Sequence, residues 1–397
     1  MSDEPDDSNE SNEPDESDDD PIAEMARGCR GLATEADFMR SAAGISAIDR
    51  HAAQCLERRY QDGAFAGAVD FGRRFLTLFE QELLPTRPFL EAAAARVRYH
   101  YGIALLLHNQ PAEAVRQIDL AFRQEVFLTE HHLDRSAIAP LIDQILAEQP
   151  DCAWAQYEKA RITLALPRFN LDDGLSLCRK DIQFFIQIGA MDGKTYDPIY
   201  RYVNGSRWRG IIVEPIPALF EQLKANYQGR RNLIFENVAI TEADGEREMT
   251  WIPEQTIREH QLPGITKGIA TLLPDRNYIR LFHSYAKTAR VQTTTLKTLL
   301  ARHDVKRIDL LQIDAEGYDI KILDQLDLSL FKPCIINIEI ASCPPAERVA
   351  CFRRLHQNGY ALSFDGGELC AVRHPQFPPA RVATDGSATR HTSERKD

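Results

Sequence analysis

The fold is decided by an apolar strand that ends in a glycine loop, Ile186-Gln187-Ile188-Gly189-Ala190-Met191-Asp192-Gly193. Glycines let a backbone approach a ligand closely, so this loop is a candidate binding element. The G-x-G-x-x-G spacing of dinucleotide sites is missing, and Asp192 would repel the pyrophosphate that such a loop holds. The loop therefore favours a ligand without phosphate groups. The alternative is a plain strand-to-helix turn that Asp192 caps.

Short apolar strands alternate with helical stretches from about residue 180 onwards, a pattern that predicts a parallel sheet with helical crossovers. The predicted strands are residues 183–188, 210–214, 233–238, 308–313 and 334–340. A hairpin is predicted from 361 to 372, around the turn signal Asp365-Gly366-Gly367. The predicted fold class is α/β, with a Rossmann-like sheet that binds ligands at the carboxyl ends of its strands.

Acidic and amide side chains follow the predicted strands, at the edge where ligands bind. Glu214 lies about 25 residues beyond Gly189, a separation typical of an acid that binds a ribose diol; otherwise it is an exposed strand-end acid. Asn237 follows the third strand and would face an adenine edge. Asp314 ends the fourth strand, which in a 3-2-1-4-5 strand order places it beside the glycine loop. Glu316 either shapes a substrate site or is an acid favoured at a helix N-terminus.

Six motifs in this region resemble, in their order, those of the FkbM family of S-adenosylmethionine (SAM)-dependent methyltransferases. The motifs are residues 186–198, Ile212-Val213-Glu214-Pro215, Asn237-Val238-Ala239-Ile240, Thr293-Thr294-Thr295-Leu296, Leu311-Gln312-Ile313-Asp314-Ala315-Glu316-Gly317 and Ile338-Glu339-Ile340. Together they cover about half of the chain. Two positions depart from the family pattern: Met191 replaces the usual Asn of the glycine loop, and Gln312 stands where Lys often precedes the Ile-Asp pair.

The resemblance implies a class I methyltransferase domain over residues 175–373, with SAM as its cofactor. This cofactor carries a sulfonium cation and no phosphate, so the loop tolerates an acid. The implied cofactor-binding residues are Gly189, Ala190, Asp192, Gly193, Glu214, Asn237 and Asp314. Members of the family are largely O-methyltransferases. The expected acceptor is therefore a hydroxyl of a small molecule, in particular of a glycan, a glycolipid or a secondary metabolite.

A hydroxyl acceptor has to lose its proton, so a positioned base is expected near the transferred methyl. The first candidates are Asp314 and Glu316. His260 and His283 follow; both lie in an insertion at residues 253–290 that we expect to fold over the acceptor. The alternative for each histidine is an ordinary surface residue.

No resident metal is expected, since the eight cysteines form no Cys-x-x-Cys pair and no zinc spacing. The alternative is that Asp314, Glu316 and Asp319 hold Mg²⁺, because oxygen ligands suit a hard cation. Several cysteines lie inside apolar runs, which predicts free thiols in a reducing, cytoplasmic location.

Residues 23–165 form a separate all-α domain in this interpretation, rich in Ala, Leu, Arg, Glu and Gln. The stretch from Tyr101 to Ala121 resembles one tetratricopeptide repeat, although no strict repeat period runs through the region. This degenerate helical-repeat domain is either a platform for a partner protein or a helical cap on the second domain.

The net charge of −12 comes almost entirely from the N-terminus, where residues 1–20 hold eleven acids and no base. Residues 1–22 are therefore predicted to be a disordered acidic tail, and residues 374–397 a flexible C-terminal tail. The rest of the chain is nearly neutral, so no nucleic-acid partner is expected. The sequence has no apolar run long enough for a membrane span.

Other classes of function stay open beside the methyltransferase. One is a non-catalytic scaffold with a degenerate methyltransferase fold, against which the intact set of Gly189, Gly193, Glu214 and Asp314 argues. A nucleotide-dependent oxidoreductase is disfavoured by the missing glycine spacing and by Asp192. Methyl transfer to nitrogen of a protein or nucleic acid is the third.

Overall fold

The chain divides into two compact units, Met1–Gln110 and Pro111–Asp397. The computed structural model describes residues 54–56, 58–59, 62–83, 91–124, 139, 142–143, 145–147, 149–164, 169–262, 264–274, 278–365 and 367–379. The predicted acidic tail at 1–22 and residues 380–397 of the predicted C-terminal tail lie outside the described residues. The predicted domain boundaries, 23–165 and 175–373, stay predictions.

Two long helices dominate the described part of the first unit. Helix α1 spans Phe65–Leu78 and continues into a π-helical turn, Phe79–Leu83, and helix α2 spans Glu91–Leu107. The two helices pack closely at Gly72, because a Cβ atom there would lie 2.4 Å from the ring of Tyr101. The tetratricopeptide-like repeat was predicted to run from this unit into the next, and it stays a prediction.

The second unit contains the α/β fold. Its described helices are α3 (Pro111–Gln124), α4 (Ala153–Leu164), α5 (Leu171–Cys178), α6 (Tyr200–Asn204), α7 (Pro217–Asn226), α8 (Glu254–His260), α9 (Leu296–Arg302), α10 (Asp319–Asp324) and α11 (Pro345–Gln357), with 3-10 helices at Gly264–Lys267 and Tyr278–Tyr285. Its strands are β1 (Phe184–Ile188), β2 (Arg209–Val213), β3 (Leu233–Glu236), β4 (Ala239–Ile240), β5 (Gly245–Trp251), β6 (Ala270–Thr271), β7 (Lys287–Thr294), β8 (Leu310–Ile313), β9 (Ile335–Glu339), β10 (Ala361–Asp365) and β11 (Glu368–Val372).

A seven-stranded sheet with the order β10-β11-β9-β8-β1-β2-β3 forms the centre of this unit. The strands from β9 to β3 are parallel, and the β10–β11 hairpin joins β9 in the antiparallel direction. The five parallel strands correspond to the five strands predicted first, and their order confirms the 3-2-1-4-5 arrangement. The mixed α/β content and the parallel sheet fit a methyltransferase-like fold.

The central strands are buried on both faces, which explains their nearly continuous apolar sequence. Alternate residues of β1 face opposite sides, so Ile186 and Ile188 enter one hydrophobic cluster while Phe185 enters another. In the neighbouring strand β8, Leu311 belongs to the first cluster and Leu310 to the second. Each such side chain contributes roughly 1.5–3 kcal/mol to folding. This double core fixes the position of the strand ends that carry the site.

Helix α4 packs within the second unit, against helix α11. The ring of Tyr157 is buried, and its centroid lies 5.7 Å from that of Phe352. The guanidinium groups of Arg161 and Arg348 lie 5.5 and 5.3 Å from the centre of the same tyrosine ring. Residues 153–164 therefore contribute directly to the core of the α/β unit.

A second sheet of four strands, in the order β4-β7-β5-β6, was not predicted. Strand β5 pairs antiparallel with β7 over its whole length, from Gly245 opposite Thr293 to Trp251 opposite Lys287. Strand β6 comes from the insertion at 253–290 and extends this sheet. Among the described helices, none has the length and apolar character required to cross a lipid bilayer.

Candidate active site

A cavity of about 510 Å³ lies at the carboxyl ends of β1, β2, β8 and β9. Its floor is the glycine loop from Gly189 to Met191 together with Glu214 and Asp314. The second sheet and the insertion supply the opposite wall, through Met249 and residues 268–270. The cavity therefore occupies the edge of the sheet that the sequence predicted for a ligand.

The glycine loop is held against both neighbouring strands. Gly189 has a φ of 78°, and a Cβ atom on it would lie 1.6 Å from the carbonyl oxygen of Asp314. The N–H groups of Gly189 and Ala190 both donate to the carbonyl oxygen of Val213, at 3.0 and 3.1 Å. The N–H of Asp314 donates to the carbonyl oxygen of Ile188 at 2.9 Å. The expected proximity of Asp314 and the glycine loop is thus a backbone contact that only glycine permits.

Asp192 is buried and points into its own loop. Its carboxylate accepts hydrogen bonds from the N–H of Lys194 at 3.0 Å, from the N–H and hydroxyl of Thr195 at 2.7 Å each, and from Nζ of Lys267 at 2.8 Å. Burial alone would raise the pKa of Asp192, but these hydrogen bonds outweigh it and hold the pKa below its usual range. Asp192 and Gly193 do not line the cavity. The hydrogen bonds of Asp192 are those expected if this residue caps a strand-to-helix turn. A direct contact of Asp192 or Gly193 with the cofactor stays a prediction.

Glu214 lines the cavity from the end of β2 and is almost completely buried. One carboxyl oxygen accepts the N–H of Met191 and the other the N–H of Ile216, each at 2.8 Å. Burial raises the pKa of Glu214 to about 8, because little solvent reaches its charged form. The carboxyl group is therefore rigidly oriented at the mouth of the glycine loop.

Asn237 stabilises the chain behind Glu214. Its side-chain amide donates to the carbonyl oxygens of Glu214 and Pro215 at 2.8 and 3.1 Å. Asn237 itself does not line the cavity, whereas its neighbour Val238 does. A contact of Asn237 with an adenine ring stays a prediction.

The described cavity wall is strongly acidic. It contains six acidic residues and no Lys, Arg or His: Asp197, Glu214, Asp314, Glu316, Glu339 and Glu368. The surrounding protein and the neighbouring Glu316 raise the pKa of Asp314 well above its usual range. Such a wall favours a cationic ligand and disfavours phosphate groups.

Backbone strain is concentrated around the cavity. Met191, Tyr196 and Glu316 all line it and have φ angles of 51°, 58° and 51°. Non-glycine residues in this left-handed region cost about 1–3 kcal/mol each and occur often at functional sites. The carbonyl oxygen of Glu316 accepts the hydroxyl of Thr271 at 2.8 Å, which ties the insertion to the loop after β8.

The two candidate histidines lie away from the acidic wall. His260 ends helix α8, is exposed and packs on the ring of Tyr285 at 4.8 Å between centroids. His283 is exposed in the 3-10 helix Tyr278–Tyr285. Neither residue lines the cavity, so the structure groups Asp314 with Glu316 but not with the histidines.

Three residues around the site were missed as functional candidates. Lys267 joins the insertion to Asp192, with its side chain only 18% exposed. Asp197 accepts the side-chain amide of Gln187 at 3.0 Å, and its pKa is raised by burial. Glu368 reaches the cavity from the hairpin. The motif at 186–198 contained Asp197, but no sequence signal distinguished Lys267 or Glu368 from surface charges.

The parallel sheet, its strand order and the cavity at the carboxyl ends fit a methyltransferase-like α/β fold. Residues 187–362 match the family model described as the Methyltransferase FkbM domain, which supports the predicted resemblance over this span. The matched span runs from β1 into β10 and includes Glu214, Asp314 and Glu339. Comparisons with curated proteins and with solved structures found no match.

Proposed function

We propose that the second unit is a SAM-dependent methyltransferase that methylates a hydroxyl of a small-molecule or glycan acceptor. The observation that carries the proposal is the cavity where Gly189 meets Asp314 and Glu214, inside the span that matches the FkbM methyltransferase domain. Acceptors of the glycan, glycolipid or secondary-metabolite type are the ones we would test first.

The cavity fits this cofactor by its charge and by its close backbone approach. SAM has a net positive charge, because its sulfonium adds to a methionine part whose ammonium and carboxylate charges cancel, and six carboxyl groups without a described base face the cavity. The loop from Gly189 to Met191 and the Asp314 carboxyl would hold the methionine part. Glu214, which both backbone N–H contacts hold in one orientation, would accept the ribose hydroxyls. When bound, SAM supplies an electrophilic methyl group.

The chain itself supplies orientation and a base. Asp314 lies in the cavity and has a raised pKa, which brings its carboxylate closer to the basicity that a general base needs. We propose that Asp314 accepts the proton of the acceptor hydroxyl, with Glu316 beside it. Gly268, Ile269 and Ala270 of the insertion line the opposite wall and exclude water from the reacting groups. Alignment of donor and acceptor should supply much of the remaining rate.

Calorimetric titration of the full chain with S-adenosylhomocysteine tests the cofactor site. We expect micromolar binding by the wild type and a loss of at least tenfold in Glu214→Ala, with Glu221→Ala as the matched control because Glu221 is exposed on helix α7. A well-folded wild type that binds no S-adenosylhomocysteine would overturn the proposal and favour the non-catalytic scaffold.

A cytoplasmic location is part of the same proposal. All seven cysteines in the described part of the chain are free thiols, and four of them are buried. Free buried thiols are typical of a reducing compartment. Non-reducing mass spectrometry of protein purified without reductant should find these cysteines unpaired.

A further inference from the structure

Three carboxyl groups meet at the carboxyl ends of β8 and β9. Asp314 follows β8, Asp319 begins helix α10, and Glu339 ends β9. Each offers one oxygen atom, and these three oxygens all lie within 4.8 Å of one another. We call these residues the carboxylate trio. No Lys, Arg or His pairs with a member of the trio within the described residues.

The side chain of Glu339 provides a second, independent observation. Its oxygen Oε2 is completely buried and has no hydrogen-bond partner within the part of the chain that the structure describes. A buried carboxylate oxygen without a donor costs at least about 1–3 kcal/mol, so native structures rarely leave one unsatisfied. A divalent cation ligated by Glu339 would give this side chain a partner and would offset two of the three negative charges of the trio.

Asp319 is prepared for such a role by its backbone contacts. Its two oxygens accept the N–H groups of Ala315 and Gly317 at 2.7 and 2.8 Å. These bonds fix the orientation of the carboxylate, as the outer contacts of metal-ligating carboxylates do. The remaining lone pairs of Asp319 are available to a ligand.

We propose that the carboxylate trio binds one hard divalent cation, with Mg²⁺ as the physiological candidate. An all-oxygen ligand set without nitrogen or sulfur suits Mg²⁺, Ca²⁺ or Mn²⁺. Neighbouring oxygen ligands of an octahedral Mg²⁺ lie about 3 Å apart and opposite ones about 4 Å, so the trio, whose oxygens lie within 4.8 Å of one another, would contract around the ion. The sequence analysis offered Asp314, Glu316 and Asp319 as alternative Mg²⁺ ligands. The proposed site keeps Asp314 and Asp319 and has Glu339 in place of Glu316.

The role of this cation rests on the proposed methyltransferase function. A divalent cation held by Asp314 would bind the acceptor hydroxyl and lower its pKa. Asp314 would then act as a ligand, and the proton would leave to the neighbouring Glu316 of the wall, so that the oxygen becomes the nucleophile. The acceptor class that fits best is one with two neighbouring oxygens, as in a vicinal diol, because such a pair chelates a hard cation.

Electron paramagnetic resonance of Mn²⁺ titrated into the full chain tests the site without need of an acceptor. We expect one Mn²⁺ per chain, displaced by Mg²⁺. The substitutions Glu339→Gln and Asp314→Asn should each weaken Mn²⁺ binding at least tenfold. The comparison variant is Glu368→Gln, which removes one charge from the same cavity wall but lies outside the trio; loss of its attraction alone should weaken Mn²⁺ binding clearly less than loss of a ligand.

Titration with S-adenosylhomocysteine in the same preparations separates the two proposals and reports on folding. Wild type that binds S-adenosylhomocysteine but no Mn²⁺ would overturn the cation site and leave the proposed function intact. If Glu368→Gln and Glu339→Gln weakened Mn²⁺ binding equally, the cavity wall would attract the ion only by its overall charge. This result would also overturn the site. Mn²⁺ binding at the trio without S-adenosylhomocysteine binding would support the site and overturn the proposed function.

Discussion

The α-carbon of Gly189 and the carbonyl oxygen of Asp314 approach each other so closely that a Cβ atom on residue 189 would lie 1.6 Å from that oxygen. The contact joins the end of β1 to the end of β8, directly below the cavity. Two parallel strands can present their terminal groups this closely only where one of them lacks a side chain. The position of the Asp314 carboxyl therefore depends on the absence of one carbon atom in the neighbouring strand.

Gly189→Ala tests this dependence. We expect the substitution to reduce affinity for S-adenosylhomocysteine at least tenfold and to lower the melting temperature, because the loop has to move away from Asp314. Gly229→Ala is the control: Gly229 also has a positive φ, of 85°, but a Cβ atom there meets no atom within 4 Å. The control should cost only the left-handed backbone strain, about 1–2 kcal/mol. Equal effects of the two substitutions in calorimetry and thermal unfolding would show that the close contact is unimportant.

Glu214 should make stability depend on pH in an unusual direction. Its folded pKa is about 8, against an ordinary value of 4.5. Between these values the folded chain keeps a proton that the unfolded chain has lost, so stability falls as pH rises. Wild type should therefore lose more stability between pH 5 and pH 8 than Glu214→Gln, by at most about 4 kcal/mol at 1.4 kcal/mol per pKa unit. Parallel urea-unfolding curves of wild type and variant would contradict this assignment.

Asp314→Asn should impair the chemical step far more than the cofactor binding to which Asp314 also contributes. If Asp314 accepts the proton of the acceptor, its amide variant should lose about 10²–10⁴-fold in turnover, measured as transfer of a radiolabelled methyl group to an acceptor found in a screen of sugars and glycolipids. Affinity for S-adenosylhomocysteine should change much less than turnover. Asp327→Asn, on the exposed turn after helix α10, is the control and should retain full activity. Turnover near the wild-type rate in Asp314→Asn would remove this residue from the mechanism.

The ion pair between Lys267 and Asp192 should hold the insertion in place. Lys267→Met removes the cationic partner of a buried carboxylate, and we expect a loss of about 1–3 kcal/mol together with faster proteolysis within residues 253–290. Lys306→Met serves as the comparison, because Lys306 pairs with Asp304 on the surface with 78% of its side chain exposed. That exposed pair should contribute less than about 1 kcal/mol. An unchanged proteolysis pattern in Lys267→Met would mean that other contacts position the insertion.

Tyr157 should be a core residue of the α/β unit, although its helix precedes the sheet in sequence. Tyr157→Ala removes a buried ring from between helices α4 and α11, which should cost about 3–5 kcal/mol in the unfolding of this unit. Tyr196→Ala removes a ring that is 73% exposed and should change stability by less than about 1 kcal/mol. A small effect of Tyr157→Ala on the unfolding transition would favour an independent helical domain that extends to residue 165.

The central sheet could be predicted because its strands carry their own signal. Ile186, Ile188 and Leu311 lie in short, largely apolar runs, and the short length of these runs favours buried strands over helices. The end of each run then located Gly189, Glu214 and Asp314 on one edge. This is a consequence of parallel strand direction and needs no knowledge of side-chain contacts.

The second sheet gave no comparable signal. In strand β5, Glu246, Arg247 and Glu248 are exposed, so the apolar alternation that marks a half-buried strand is absent. Its pairing with β7 depends on residues 36 to 48 positions away, which local patterns do not reveal. The insertion was expected to cover the acceptor, but the sheet that anchors it was not foreseen.

The side-chain contacts within the site could not be predicted from the sequence either. No sequence pattern indicated that the side-chain amide of Asn237 donates to two backbone carbonyl oxygens, and its predicted contact with an adenine ring stays a prediction. The position of Asp192 inside its own turn depends on Lys267, which is 75 residues away along the chain. Distant pairs of this kind are set by tertiary packing, and residue type alone does not identify them.

The imbalance of charge in the cavity wall has a consequence for turnover under the proposed function. The carboxyl groups of the wall attract a cofactor with a net positive charge more strongly than a product whose charges cancel. Methyl transfer converts a sulfonium into a neutral thioether, so the spent cofactor loses one unit of this attraction at the moment when the reaction is complete. The charge of the wall would then favour replacement of S-adenosylhomocysteine by SAM. Because this attraction is less screened at low ionic strength, inhibition by accumulated product should weaken as ionic strength falls.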